Sequence, residues 1–173
     1  ITAGNIQLRD NSDLTTNISS GEGSGGNITI KADSVLAFDD SDIFAFAPGG
    51  QGGNITLDLA ENLTLRDNSL ISAEAFGNAD GGNINIPNSQ FIVAFPNSTS
   101  GSGSDIIANA EQGEGGNIEI TAQELVEVVG RNEANFPSQI VSAVRKNKEG
   151  NGGNIAIATK NFSVRDGGAV NVG

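Results

Sequence analysis

The chain has 173 residues, 24 of them glycine and 4 proline, and it contains no cysteine, histidine, methionine, tryptophan or tyrosine. Those absences exclude a disulfide scaffold and a zinc site of the Cys/His kind, and the lack of an every-third glycine excludes collagen. Nine basic against 21 acidic residues leave a formal charge of −12, a field that repels nucleic acid and anionic membranes, and no apolar run is long enough for a spanning helix.

The first residues take their meaning from the repeats later in the chain. Ile1-Thr2-Ala3 matches Ile30-Lys31-Ala32, so the chain opens at the end of a strand, and Gly4-Asn5 is not a copy of the later glycine phrase. Ile6 and Leu8 then alternate with polar residues, and Asp10-Asn11-Ser12 marks a turn before Leu14 and Thr16. At Gly25-Gly26-Asn27-Ile28-Thr29-Ile30 the governing phrase appears, and it returns at Gly52, Gly81, Gly115 and Gly152 after intervals of 27, 29, 34 and 37 residues. A fixed phrase at a tolerant period is the signature of a solenoid.

Each unit carries three short alternating runs. The clearest unit reads Gly52 to Leu57, then Leu63-Thr64-Leu65-Arg66-Asp67-Asn68-Ser69, then Ile71-Ser72-Ala73-Glu74-Ala75. The runs are too short and too rich in glycine and asparagine for helical hairpin repeats. The expected fold is therefore all-β, a parallel β-helix with three short strands per coil and about five to six coils, over a single segment spanning residues 1–173. With no methionine at its start, the segment reads as one excised from a longer repeat protein.

Alternation assigns the inward columns. The first strand contributes Ile28 and Ile30, Ile55 and Leu57, Ile84 and Ile86, Ile118 and Ile120, and Ile155 and Ile157. The second contributes Ile6, Val35, Leu63, Phe91, Val126 and Phe162, with Leu8, Ala37, Leu65, Val93, Val128 and Val164 behind them. The third contributes Leu14, Ile43, Ile71, Ile106, Ile140 and Val170, followed by the smaller Thr16, Ala45, Ala73, Ala108 and Ser142 and by Val172.

Several recurring residues invite a function. Gly26-Asn27, Gly53-Asn54, Gly82-Asn83, Gly116-Asn117 and Gly153-Asn154 are expected to be structural: glycine for close coil contact, asparagine for an amide ladder along the stack or to the turn backbone. Asp10, Asp39, Asp67 and Asp166 share one position. Turn capping by Asx bonds is the expected role and calcium the alternative, although no full coordination set is visible. Read as a glycosidase pair, these carboxylates would need unequal surroundings, whereas they recur as a decoration of the units.

Two longer units carry insertions, Phe95 to Gly103 and Gly130 to Pro137, at equivalent corners. Corner insertions are where solenoids build binding surfaces, so Asn97, Ser98, Arg131 and Asn132 are candidate ligand contacts. Phe44 and Phe46 point outward in the alternation and are the candidate aromatic contacts, for carbohydrate or for a neighbouring loop. The basic run Arg145, Lys146 and Lys148 is expected to face Glu111 and Glu114 or solvent. No triad is available without histidine, and the glycine phrases lack the lysine and helix of a phosphate cradle.

The repeated Gly-Gly-Asn-Ile-x-Ile phrase, joined to Leu-x-Leu-Arg-Asp-Asn-Ser and Ile-Ser-Ala, resembles the filamentous-haemagglutinin-like repeat regions of two-partner-secreted exoproteins of Gram-negative bacteria, the cyanobacterial type in particular. The match is best from Gly52 to Gly82 and weakest in the two long units. The resemblance implies a right-handed parallel β-helix, a secreted or outer-surface location, an outer-membrane secretion partner for the parent protein, and adhesion to a host or environmental polysaccharide or cell-surface glycan. It implies no enzyme, no cofactor, no nucleic acid and no membrane insertion. A spacer carrying a distal domain and a polysaccharide lyase or hydrolase on the same architecture are the alternatives.

Overall fold

The computed structural model describes residues 1–18, 23–95, 103–145 and 150–173. Among these there is no helix, and parallel strands stack into a β-solenoid of about five turns. The opening coil holds β1 (Asn5–Leu8) and β2 (Leu14–Asn17). The first full coil holds β3 (Ile28–Ala32), β4 (Ser34–Ala37) and β5 (Ile43–Phe46), and the second holds β6 (Ile55–Leu59), β7 (Asn62–Leu65) and β8 (Leu70–Ser72). β9 (Ile84–Asn88), β10 (Phe91–Ala94) and β11 (Asp105–Ile107) make the third. The fourth and fifth have two strands each, β12 (Ile118–Val129) with β13 (Gln139–Ser142) and β14 (Ile155–Arg165) with β15 (Ala169–Val172).

The drop from three strands to two differs from the uniform three expected. In the first two full coils the strand is interrupted at Asp33 or at Ala60-Glu61, whereas in the last two it runs on through Thr121 to Glu124 and through Thr159-Lys160. A register shift between Ala122 and Leu125 absorbs the bend. The first and second strands of all coils thereby form one nine-stranded sheet, and the third strands form a separate six-stranded sheet.

Register follows the glycine phrase. Ile28 pairs with Ile55, Ile55 with Ile84, Ile84 with Ile118 and Ile118 with Ile155. Thr2 bridges Lys31, as the reading of the opening residues requires. The core between the two sheets consists of these isoleucines and leucines, with Ile30, Leu57 and Ile86 fully buried against a third-strand column of Ala45, Ala73 and Ala108. Each buried Ile or Leu contributes roughly 1.5–3 kcal/mol against about 1 kcal/mol for a net hydrogen bond, so the columns stabilise the stack and the ladders fix its register. The alanines let the sheets close at native packing density.

One column is placed differently from the expectation. Ile92 and Ala94, not Phe91 and Val93, align with Leu63 and Leu65 and with Val126 and Val128. Ile92 is 2% exposed and Phe91 39%. The cause is the register of the glycine phrase: the offset that sets Ile55 opposite Ile84 also sets Leu63 opposite Ile92, and the shift between Thr56 and Asp58 opposite Asn85 and Asn88 is recovered before Phe91. Ser89 then fixes the corner, its single hydroxyl proton shared between Glu61 O at 2.8 Å and Phe91 O at 3.0 Å. Phe162 and Val164 do lie in the column, but on the fifth coil, where they are exposed.

Candidate functional site

The structure resolves the repeated polar residues into distinct ladders. Asn54 N–H donates to Asn27 Oδ1 at 2.9 Å and Asn54 Nδ2 donates to the same oxygen at 3.2 Å. The identical pair of bonds joins Asn83 to Asn54, Asn117 to Asn83 and Asn154 to Asn117. Asn27, Asn54, Asn83 and Asn117 thus serve both roles expected of them, amide ladder and turn-backbone acceptor, and Asn154 is the last donor. A second ladder is buried: Ser12 N–H donates to Ser41 Oγ, Ser41 N–H to Ser69 Oγ and Ser104 N–H to Ser138 Oγ at 3.0–3.2 Å.

The aspartate column has a backbone explanation. Asp10-Asn11, Asp39-Asp40 and Asp67-Asn68 all have positive φ, as do Asp166-Gly167. Ser69 N–H donates to Arg66 O and Gly168 N–H to Arg165 O, closing turns with two left-handed central residues, the type I′ pattern. Aspartate, asparagine and glycine recur here because they tolerate that conformation, and the Asx bonding expected for them is not what closes the turns. Arg9, Arg66 and Arg165 each pair with the aspartate next in the chain, at 3.8, 3.8 and 2.6 Å. Among the described residues no group of three or more acidic residues is placed to hold a metal ion.

A different acidic column was not legible in the sequence. Asp13 and Asp42 stand just before the third strand and Asp105 opens it, each turned onto the next coil. Asp13 Oδ1 accepts from Asp42 N–H at 3.2 Å, Asp42 Oδ1 from Leu70 N–H at 2.9 Å, and Asp105 accepts from both Gln139 N–H at 3.0 Å and Gln139 Nε2 at 3.3 Å. Burial pushes the Asp42 carboxyl up to about 6, opposed by the Leu70 bond and reinforced by Asp13 and Asp40. Burial likewise pushes Asp105 up to about 6, opposed by the Gln139 bonds and reinforced by Glu74.

These shifts carry a stability prediction. A carboxyl near 6 in the folded chain and 3.8 unfolded binds more protons when folded between those values, so stability falls as pH rises through that window and the deficit persists at pH 7. For Asp105 it is bounded by about 3 kcal/mol. Asp105→Asn keeps the acceptor for Gln139 N–H and removes the buried charge. Its urea midpoint at pH 7 is expected above that of the parent, with a smaller gain on moving to pH 5; an unchanged pH dependence would remove Asp105 as the cause.

The candidate contacts fall into different surroundings. Asn97 and Ser98 lie outside the described residues. Asn132, expected on a ligand surface, is 5% exposed and accepts from Phe136 N–H through Oδ1 at 2.9 Å, so it ties the 130–138 loop to itself and is corrected to a structural role. Arg131 is exposed and donates to Asn135 O at 2.9 Å within the same loop. The two insertions do meet, with Gly103 against Pro137.

Phe44 and Phe46 are half-buried on the outer face of the third-strand sheet, their ring centroids 5.9 Å apart in a stacked arrangement. Phe46 meets Phe76 edge to face at 5.0 Å, and the Arg145 guanidinium lies 4.3 Å over the Phe76 ring. Arg145 is exposed, one of the two settings expected for it, and its guanidinium also caps an aromatic ring; Lys146 and Lys148 are outside the described residues. Glu111 instead accepts from Gly77 N–H at 2.9 Å, and Glu114 accepts from Asn151 Nδ2 at 3.3 Å. The result is an outer ridge, Phe44, Phe46, Phe76 and Arg145, drawn from the first, second and fourth full coils. Phe76 was missed because it comes after the third run, where no alternation assigns it a face.

Comparison with protein-family models, with curated proteins and with solved structures found no match to this chain.

Proposed function

We propose that the chain is a non-enzymatic attachment shaft that holds a polysaccharide or cell-surface glycan on its outer face. The observation carrying this reading is the ridge of Phe44, Phe46 and Phe76: three half-buried rings kept in contact with one another on an outer sheet face, with Arg145 against the last. Sugar rings present flat C–H faces that stack on such rings, and the apolar area covered contributes roughly 25 cal/mol per Å². In this reading the chain works on the outer surface of a Gram-negative cell or in its surroundings, delivered through an outer-membrane partner. The resemblance of its repeats and the lack of cysteine in a chain that must cross a membrane unfolded support that location.

One observation favours a hydrolase instead. Asp42 and Asp105 lie two coils apart in one column, at about twice the strand spacing of 4.8 Å, near the separation used by inverting glycosidases. Against it, their carboxylates bond the next coil's backbone and burial raises both alike, whereas an acid and a base need unequal environments.

The test of the attachment reading is the double substitution Phe46→Ala and Phe76→Ala. Retention in polysaccharide affinity electrophoresis is expected to weaken roughly tenfold, equivalent to about 1.4 kcal/mol, with the β-sheet circular dichroism unchanged. Retention equal to that of the parent chain would contradict it.

A further inference from the structure

The corner that leads into the first strand holds a second surface, distinct from the ridge. A groove of about 280 Å³ runs across the first three full coils. Its floor is Gly25, Gly52, Gly81 and Gly82, one side is Asn27, Asn54 and Asn83, and the opposite lip is Ser24 and Gln51. The floor carries no side chains because the coils approach there backbone to backbone: a Cβ on Gly52 would lie 2.3 Å from Gly82 N.

The asparagines line this groove with unused donors. A side-chain amide has two N–H hydrogens. Asn54 Nδ2 gives one to Asn27 Oδ1, and Asn83 Nδ2 gives one to Asn54 Oδ1. The second hydrogen of each is left available, and the ladder locks every amide in the same orientation. The same bonds at Asn117 and Asn154 continue the array beyond the groove. The stack therefore presents one fixed N–H donor per coil, at the strand spacing of about 4.8 Å, along the solenoid axis.

That spacing and the charge of the chain select the occupant. An extended polypeptide repeats its same-side carbonyls at about twice its 3.3 Å rise, out of step with the donors. A polyanion meets the field of a chain with a formal charge of −12. In an extended, uncharged β-linked glycan alternate sugars are turned over, but each carries ring or hydroxyl oxygens on both edges, so every sugar offers an acceptor to a donor row on one side, at a step close to the coil spacing.

We propose that this glycine-floored groove is a track for an uncharged, extended β-linked glycan, whose successive sugars accept hydrogen bonds from Asn54, Asn83 and their equivalents in later coils. The proposal rests on the attachment reading and names its ligand class. The groove is preformed, since the ladder that orients the donors is the ladder that holds the coils, so binding orders no protein side chain but the lip residue Gln51.

The test uses cellohexaose as the uncharged probe and hexagalacturonate as the charged one, against the full chain and two variants. Gln51→Trp fills the groove from an exposed lip position outside the ladder; Phe46→Ala thins the ridge. Cellohexaose is expected to shift the side-chain amide NMR signals of Asn54 and Asn83. Its affinity should fall at least about tenfold in Gln51→Trp and change little in Phe46→Ala, with hexagalacturonate binding much more weakly throughout. Affinity lost in Phe46→Ala but kept in Gln51→Trp, with the amide signals unmoved, would overturn the track while leaving attachment at the ridge. No binding of cellohexaose would overturn the track as well, and if the polysaccharides of the ridge test are also not retained, the attachment reading falls with it.

Discussion

Replacing Gly82 with alanine is expected to cost more than about 3 kcal/mol, a large fraction of the roughly 5–15 kcal/mol that holds a domain folded. The added Cβ would lie 2.1 Å from Gly53 O and 2.7 Å from Gly53 C, both backbone atoms of the preceding coil. That coil cannot retreat without lengthening its strand and asparagine bonds, because Asn83 N–H and Nδ2 are both tied to Asn54 Oδ1. The contrasting change is Gly77→Ala. Gly77 has φ +78 and open space around its Cβ position, so the cost is the left-handed conformation alone, about 1–2 kcal/mol. Urea unfolding followed by circular dichroism separates the two. A Gly82→Ala chain as stable as Gly77→Ala would mean that the coils do not approach in this register.

The 173-residue chain is also expected to associate head to tail. Its fifth coil exposes inward-type residues, Phe162 at 50% and Val172 at 51%, and its opening coil exposes Ile1 at 60% and leaves Ile6, Leu8 and Leu14 only partly covered. Continuing the repeat register sets Ile6 over Phe162, Leu8 over Val164 and Leu14 over Val170, and both faces offer unpaired ladder groups. Such a contact uses different surfaces on the two partners and does not close, so it extends. Sedimentation velocity should show species growing with concentration, and Val164→Lys with Val170→Lys should suppress them. A single 17.6 kDa species at every concentration would contradict the expectation. In a longer chain the same faces are where further coils would stack.

What was legible in the sequence is what the period carries. Asn27, Asn54, Asn83, Asn117 and Asn154 announce a ladder because one side-chain type recurs at one position, and the structure bonds them so. The column of Ile43, Ile71, Ile106 and Ile140 was readable for the same reason. Phase failed where alternation was silent: residues 91 to 94 are all apolar, so nothing local distinguished Phe91 from Ile92, and the offset of the glycine phrase, carried through from Ile55 opposite Ile84, decided it. The asparagine and aspartate columns looked alike as polar repeats, but one is a hydrogen-bond ladder and the other a backbone conformation, a difference that only dihedral angles reveal.

The candidate surface was less legible for a geometric reason. Phe44 and Phe46 could be placed outside by alternation, but their partners Phe76 and Arg145 come from later coils, and sequence order says nothing of which outward side chains meet across a stack. Burial of Asp42 and Asp105 is similarly a property of what the neighbouring coil covers.

The central claim is that this solenoid holds a glycan without cutting it. The most direct measurement incubates the chain with a panel of uncharged and acidic polysaccharides, with and without calcium, and scores retention and newly released sugar ends in the same wells. Retention without new ends, strongest for the uncharged polymers and unaffected by calcium, is the predicted result. Release of sugar ends would contradict it and turn attention to Asp42 and Asp105.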